Sequence, residues 1–582
     1  MIRLQMSKKQ EAILAAIILI TTLFFAALYM LPKPEPAPEV DDVYVEPDWF
    51  VMMCDGIRAQ VDAQAKIEAG FLAQLDNELH GFDKPHIILN PYGGAPLTAV
   101  VLFNTIEPMK ISIHISGEDE AADISFNFSG YNTRHVIPVY GLYPNKRNIV
   151  RLTAVSAGGD EQSTVLSIKT DVLPWPLLND SIQTDLRKLG AYQPGLNFTF
   201  AQKKAAFDAG GDYRWYYHDF GLLTPTLYMD NGNMIIAKGS AHAGQVALLE
   251  VNRLGKIITA YYSPYGVHHD IAAIDDGNLL LTGSSPGGTI EDFIYEIDIS
   301  TGDIIRTLDL KQVLQGNRQT GNPEYSPANW ISNNIVAYSE ESIIVSGKNQ
   351  SAIVSLSWPE VVETETANND NMSGQKAIDM HDTEIKWILA DHAGWNQMLG
   401  KYLLDQIGDG FEWPYGQYSV EILPDMDNDM NTVDILVFDN GSARLDNDKE
   451  LQRAISNNEV VEPEPYSRMV HYRINERLMT VEQVRQFGKE LGKAYFSRYY
   501  GDATLLENGN RLGVFDNHDL SYGFVSSSLV EVDSSGDIVW EAYIANADGT
   551  AGFYSYRTER LPLYTNEAND LGIGVAARVF LP

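Results

Sequence analysis

The spacing of hydrophobic and polar positions changes several times along the chain. Ala12 to Leu31 has no polar spacing at all: it is an uncharged, almost wholly apolar run, long enough to cross a hydrocarbon core as a helix. Arg3, Lys8 and Lys9 precede it, and Glu35, Glu39, Asp41 and Asp42 follow, an asymmetry that keeps the amino end in the cytoplasm. Ala26-Ala27 is followed by Leu-Tyr-Met-Leu-Pro, a poor cleavage context. The expectation is an uncleaved, single-pass membrane anchor with the bulk of the chain extracytoplasmic. Pro32, Pro34, Pro36 and Pro38 then form a stiff, extended spacer. Ile57, Val61, Ala65, Leu72 and Leu75 fall at helical spacing and predict a helix over about 57–75, packed on the domain that follows.

From Ile87 to Pro174 the period becomes two. Ile111, Ile113 and Ile115 alternate with Ser112 and His114, and Ile124, Phe126 and Phe128 with Ser125 and Asn127. Strands are also expected over 148–155 and 164–170. Several short strands separated by Gly, Pro and Asp turns predict a small β-sandwich, with His114 a structural residue in mid-strand. From about Leu186 a two-part repeat appears. One part is a turn before a buried strand, at 229–236, 275–281 and 507–513; the other is a polar turn before an outer strand, at 254–258, 301–305, 383–387 and 535–540. Such paired signatures are what β-propeller blades leave in a sequence, and about four hundred residues suit roughly six blades with insertions. Glu360 to Asp379 reads as a surface loop. Leu451 to Lys493 reads as an insertion containing a helical run from Thr480 through Val484, Phe487 and Leu491. The chain is thus expected to be all-β after its anchor: 1–31 cytoplasmic tip and transmembrane helix, 32–80 linker and stalk helix, 81–180 sandwich, 181–582 propeller.

Composition narrows the function. The 582 residues carry 42 basic and 78 acidic side chains, a net charge of −36, which argues against a nucleic-acid partner because nothing would replace the counterions of a phosphate backbone. Cys54 is the single cysteine, so intrachain disulfides and cysteine-based metal sites are excluded. No cofactor is expected: there is no Gly-rich phosphate loop, no His-Glu-x-x-His and no nucleophile elbow. Asp425-Met-Asp427-Asn-Asp429-Met-Asn431 imitates the start of a calcium loop but lacks its glycine and its closing glutamate; a hairpin turn is the better reading, and no metal site is assigned.

A propeller gathers the loops at its strand starts around a central channel, so polar residues there converge. His268 and His269, in Val267-His-His-Asp-Ile271, come just before the Asp275 turn; adjacent histidines on a strand point to opposite faces, so at most one faces the channel. Ser332 and Asn334 lie in Asn329-Trp-Ile-Ser-Asn-Asn334. Lys348 and Asn349 end the strand that starts at Ser342, and a cation there can hold an anionic substrate. Gln417 and Tyr418 open the segment Tyr415-Gly-Gln-Tyr-Ser-Val-Glu-Ile-Leu-Pro424.

Together these stretches, with Asn90-Pro-Tyr-Gly-Gly94, Ile385-Lys-Trp-Ile-Leu389, His392-Ala-Gly-Trp395 and Phe438-Asp-Asn-Gly441, resemble the bacterial arylsulfate sulfotransferases. The resemblance implies a six-bladed propeller behind an Ig-like domain, which moves a sulfuryl group from an aryl sulfate to a phenol with no nucleotide sulfate donor. It implies covalent catalysis by a histidine, with further cationic groups stabilising the transferred charge. It also implies catalytic roles for Tyr418, His268, His269, Lys348 and Asn334, and substrate contacts from Ser332, Asn349 and Gln417. The sequence departs from the family pattern at four of these: Tyr418 stands in the place of the nucleophilic histidine, Ser332 in that of another histidine, and Lys348-Asn349 in that of an Arg-His pair. A phenol, with a usual pKa near ~10, is a poor nucleophile at neutral pH unless activated. Two expectations follow: a sulfotransferase using Tyr418 or a surviving histidine, or a catalytically silent propeller that binds a ligand or protein. Partners are accordingly a small aryl sulfate and a phenol, plus the membrane through the anchor; self-association is left open.

Overall fold

The computed structural model describes residues 48–582 except 119, 201–202, 220–224, 240–243, 275–276, 286–289, 315–332, 340, 360–376, 443, 445–464, 520–523, 549–554, 556 and 566–570. The expected anchor and spacer lie outside the described residues, among which no helix is long and apolar enough to cross a membrane.

Helix α1 runs over Asp48–Asp76, longer than its apolar spacing indicated. Ile57 and Leu75 are buried as expected, but Ala65 and Leu72 are exposed, and the buried line passes through Gln64, Glu68 and Phe71 instead. Two polar side chains hold those places because each is fully engaged. Gln64 donates from Nε2 to the carbonyl of Ile257 at 3.1 Å and accepts from the Ile257 amide at 2.8 Å. Glu68 pairs with Lys256 at 2.7 Å, accepts from the Tyr92 hydroxyl at 2.9 Å and from the Gly574 amide at 2.7 Å.

The period-two region forms a six-stranded antiparallel sheet built on the 17-residue strand Ala99–Ile115. Its first half pairs with His86–Leu89 and Asn132–Val139, its second with Ile124–Asn127 and Arg147–Ser156, and Glu161–Lys169 adds to the last of these. The register breaks between Asn104 and Met109. There the exposed Ile106 marks the passage from one half to the other.

Six further sheets follow among the described residues. The first comprises Tyr213–Tyr216, Lys204–Phe207, Leu196–Phe200 and Arg557–Leu561. The second runs Thr226–Tyr228, Met234–Gly239, Val246–Val251, Ile257–Ser263, and the third Ile271–Ala273, Leu279–Gly283, Phe293–Ile297, Ile304–Asp309. The fourth is Asn333–Ser339, Ser342–Gly347, Ala352–Ser357, Ile385–Leu389. The fifth is Val420–Ile422, Thr432–Asp439, Arg468–Asn475, Thr480–Phe487, and the sixth Gly501–Leu505, Arg511–Asp519, Phe524–Val532, Ile538–Asn546. The two-part repeat maps onto this directly: its buried half is the second strand of a sheet and its outer half the fourth.

Short pieces extend four sheets at the fourth strand. Arg578–Val579, Ile378–Asp379 and Asp405–Ile407 add in parallel to the second, third and fifth, and Asp180–Leu186 adds antiparallel to the sixth. The helical expectation from Thr480 is overturned: Thr480–Phe487 is a strand, and with Arg468–Asn475 it belongs to the fifth sheet rather than to an insertion. Val484 is exposed while Val481 and Phe487 are buried. Cross-strand pairing overrides an apolar spacing too sparse to distinguish the two periods.

Leu248, Leu280 and Val354, in mid-sheet strands, are wholly buried. First strands of successive sheets touch, the edge strand Arg557–Leu561 taking that place in the first sheet: 226–228 meets 271–273, which meets 333–339, then 420–422, 501–505 and 557–561 in turn. Every residue discussed below sits on or just before one of these edge strands, or on a turn packed against them.

The engaged pair under α1 yields a prediction. Glu68→Leu leaves the buried Lys256 without its carboxylate and should lower unfolding free energy by about 3–5 kcal/mol in urea melts. Adding Lys256→Met should recover most of that loss; a double variant no more stable than the single one contradicts the assignment.

Candidate active site

The strand of the third sheet starts at Ile271, so His268 and His269 precede it and the alternation argument for them fails. His269 lies in a bend with φ of 53°, a left-handed conformation that costs a non-glycine residue about 1 kcal/mol or more and persists only when its surroundings enforce it. Thr282 enforces it here. The His268 amide donates to the Thr282 carbonyl at 3.0 Å, the Thr282 amide to the Asp270 carbonyl at 3.3 Å, and the Asp270 amide to the Thr282 hydroxyl at 3.2 Å. That hydroxyl in turn donates to the His268 carbonyl.

The bend brings both imidazoles together, with centroids 5.0 Å apart. Nδ1 of His268 lies 2.8 Å from Nδ1 of His269, and Nε2 of His268 lies 2.9 Å from the Gly283 carbonyl. A carbonyl only accepts, so Nε2 of His268 carries hydrogen. In the neutral ring its Nδ1 is therefore an acceptor, and the hydrogen between the rings belongs to His269 Nδ1. Neutral His269 then keeps its lone pair on Nε2. The backbone tie to Gly283 thus selects the tautomer of the second ring.

Tyr418 is 2 % exposed, and its hydroxyl oxygen is buried too. Its amide donates to the Phe438 carbonyl at 3.1 Å, and its ring lies between His269 (5.9 Å, interplanar 75°) and Tyr500 (5.7 Å, 77°), edge-to-face with both. Gln417 is wholly buried and donates to the Ala352 carbonyl at 3.0 Å and the Gly347 carbonyl at 3.4 Å. Those bonds tie the Lys348 turn to the Tyr418 segment. The Gly416 amide and the Ser351 hydroxyl add a second tie at 2.9 Å. On that turn Asn349 is buried, and the Lys348 ammonium sits 4.9 Å over the ring of Tyr499, next to Tyr500. Ser332 lies outside the described residues, and Asn334 lies on a strand whose backbone alone is described. The structure therefore joins His268, His269 and Tyr418 directly, and links Lys348 to them through Tyr499-Tyr500. That tyrosine pair follows the stretch read as an insertion and carried no signal of its own.

Beside this cluster, between the first strands of the sheets, opens a cavity of about 680 Å³. Its walls include Asp230, Asp270, Glu421, Asp502, Glu559 and Arg557. Arg557 donates to Asp270 at 2.9 Å and pairs with Glu559 at 3.0 Å and Asp502 at 3.8 Å. Burial raises the carboxyls of Asp502 and Glu559 against the lowering pull of Arg557, and pushes Glu421 up to about 8. Arg557 did not stand out in the sequence, because Asp270 and Asp502 lie far from it in the chain. The Asp425–Asn431 stretch is a hairpin turn bonded within itself: the Asp427 amide donates to Asp425 at 3.0 Å and the Thr432 hydroxyl to Asp427 at 2.8 Å. Among the described residues no group of three or more His, Cys, Asp or Glu is placed to hold a metal.

The family model for arylsulfotransferase (ASST) matches residues 184–557, which takes in His268, His269, Lys348, Tyr418 and Arg557. The chain belongs to the arylsulfotransferase family. Residues 86–171 match the arylsulfotransferase Ig-like domain, so the sheet built on Ala99–Ile115 is Ig-like. Among curated relatives, arylsulfate sulfotransferase AssT of Lelliottia amnigena is 24% identical over 528 residues, covering 71% of this chain and 81% of that one. AssT of Escherichia coli O6:H1 is 23% identical over 559 residues, covering 74% and 85%. Among solved structures, a hypothetical selenium-binding protein from Sulfolobus tokodaii covers 78% of this chain and 96% of its own at 10% identity, but a TM-score of 0.30 carries no argument about the fold.

Glu421 gives a pH prediction. An unfolded glutamate ionises near ~4.3, whereas the folded one holds its proton up to about 8. Between those values the unfolded state binds fewer protons, so Glu421 lowers stability as pH rises. Glu421→Gln should therefore gain on the wild type in urea melts from about pH 5 to about pH 8; a difference independent of pH contradicts the shift.

Proposed function

We propose that this arylsulfotransferase-family chain transfers a sulfuryl group from an aryl sulfate ester to a phenolic acceptor with no nucleotide sulfate donor, on a six-bladed β-propeller whose blades are the six sheets. The propeller reading is supported by the run of contacts between first strands and by the completion of the first sheet by a carboxy-terminal strand. The observation that carries the chemistry is the His268–His269 pair, whose hydrogen bonds leave the lone pair on Nε2 of His269.

In this reading Nε2 of His269 attacks sulfur, the bond from sulfur to the aryl oxygen breaks, and the phenolate leaves with the electron pair and takes a proton from water. The acceptor phenol oxygen then attacks sulfur. The N–S bond breaks back onto Nε2, and the acceptor's proton passes to water. Tyr418 acts by packing His269 edge-on, since its own hydroxyl is buried. Lys348 supplies a point charge for the sulfate anion rather than the two-pronged grip of an arginine. We also place this reaction outside the cytoplasm, anchored through Ala12–Leu31, on the strength of the charges flanking that run.

A second reading has an observation of its own. Tyr418 replaces the family's histidine and hides its hydroxyl, as in a propeller that keeps a ligand pocket without turnover. Release of a coloured phenol from an aryl sulfate, with and without a second phenol, decides between them. We expect acceptor-dependent release that His269→Ala lowers by more than about a hundredfold and that Tyr418→Phe changes by less than about tenfold. No release from any donor, with aryl sulfate binding retained, establishes the silent reading.

A further inference from the structure

We infer that Arg557 is a positioning residue for His269, acting through Asp270. The inference rests on the reading above that His269 is the group that reacts. His269 occupies a backbone conformation that must be enforced, and Thr282 holds only the main chain of its bend. The one side chain of the bend that reaches across the cavity is that of Asp270, which is 3 % exposed and accepts from Arg557 at 2.9 Å. Arg557 comes from the strand Arg557–Leu561, fixed in the first sheet by pairing with Leu196–Phe200. The bend is thus gripped from its own sheet by Thr282 and from another sheet by Arg557.

Charge makes that grip necessary. Five carboxyl side chains line the cavity (Asp230, Asp270, Glu421, Asp502 and Glu559), and among the described lining residues Arg557 is the one cation. Its planar guanidinium donates to Asp270 while pairing with Glu559 and, at 3.8 Å, with Asp502, which a lysine, with a single charged centre, does not reproduce. Without Arg557 the carboxylate of Asp270 loses the ion pair that reaches it from the first sheet. It protonates or turns away, and the bend next to it loses the contact that aims the His269 ring.

The test uses the purified chain with ¹⁵N-labelled histidine rings, comparing wild type, Arg557→Gln, Arg557→Lys, Asp270→Asn and the Arg557→Gln/Asp270→Asn double variant. Arg557→Gln and Asp270→Asn should each move the His268 and His269 ring signals in the same direction. Each should lower kcat by about ten- to a hundredfold with KM changed far less, the double variant should be no worse than either single one, and Arg557→Lys should recover part of the loss. Unmoved ring signals in folded Arg557→Gln, or losses that add in the double variant, overturn the inference. Should Arg557→Gln fail to fold, Asp270→Asn and Arg557→Lys decide it by the same two signals. A wild type without turnover refutes the sulfotransferase reading, and the ring signals still decide whether Arg557 holds the bend.

Discussion

A sheet edge is a row of unpaired amides and carbonyls, and a chain built from successive sheets must cover the edges it starts and ends with. Here the two termini of the sheet region do this for each other. Asp180–Leu186, before the first sheet, pairs with Ile538–Asn546 of the sixth, and Arg557–Leu561, after the sixth, pairs with Leu196–Phe200 of the first. The second join is reinforced at Arg560, whose buried guanidinium pairs with the buried Glu531 and donates to Asn197 at 2.9 Å. Removing one partner of such a pair is costly because the other charge stays behind in the interior. The strand that makes this closure also carries Arg557 into the cavity, so closure and the histidine bend share one element.

Similar ties hold the Ig-like domain to the sheets. Arg214, on the first sheet, is fully buried and donates to the carbonyls of Gly141 at 2.8 Å and Ala122 at 2.7 Å, and to Asp208 at 3.0 Å. Helix α1 is clamped to the second sheet through Gln64 and Glu68. In both places a buried polar group bonded to several partners fixes one relative placement where apolar contact alone would tolerate several.

Much of the fold was legible in the sequence. Alternation marked the Ala99–Ile115 region, and the turn-strand repeats marked the second and fourth strands of the sheets. What failed had physical causes. Thr480–Phe487 carries apolar residues too sparsely to reveal its period, and the pairing that makes it a strand is with Arg468–Asn475 and Asp405–Ile407. Gln64 and Glu68 read as surface residues because their partners at 256, 257 and 574 lie far along the chain. At the site, the histidines and Tyr418 were identifiable as candidates. Their relation was not: it depends on a left-handed bend at His269, and two-residue alternation is the wrong geometry for a bend. Arg557 was invisible for the same reason as Glu68, since a charged residue on a strand declares its role only through carboxylates on other strands.

In the proposed mechanism His269, oriented by His268, carries the sulfuryl group while Tyr418 does not. Trapping tests it most directly: the protein is incubated with an aryl sulfate in the absence of acceptor, digested, and mapped by mass spectrometry for a peptide heavier by one sulfuryl group. The account predicts an acid-labile adduct on His269 that disappears when a phenol is added. An adduct on the Tyr418 oxygen, or no adduct while phenol is being released, contradicts it.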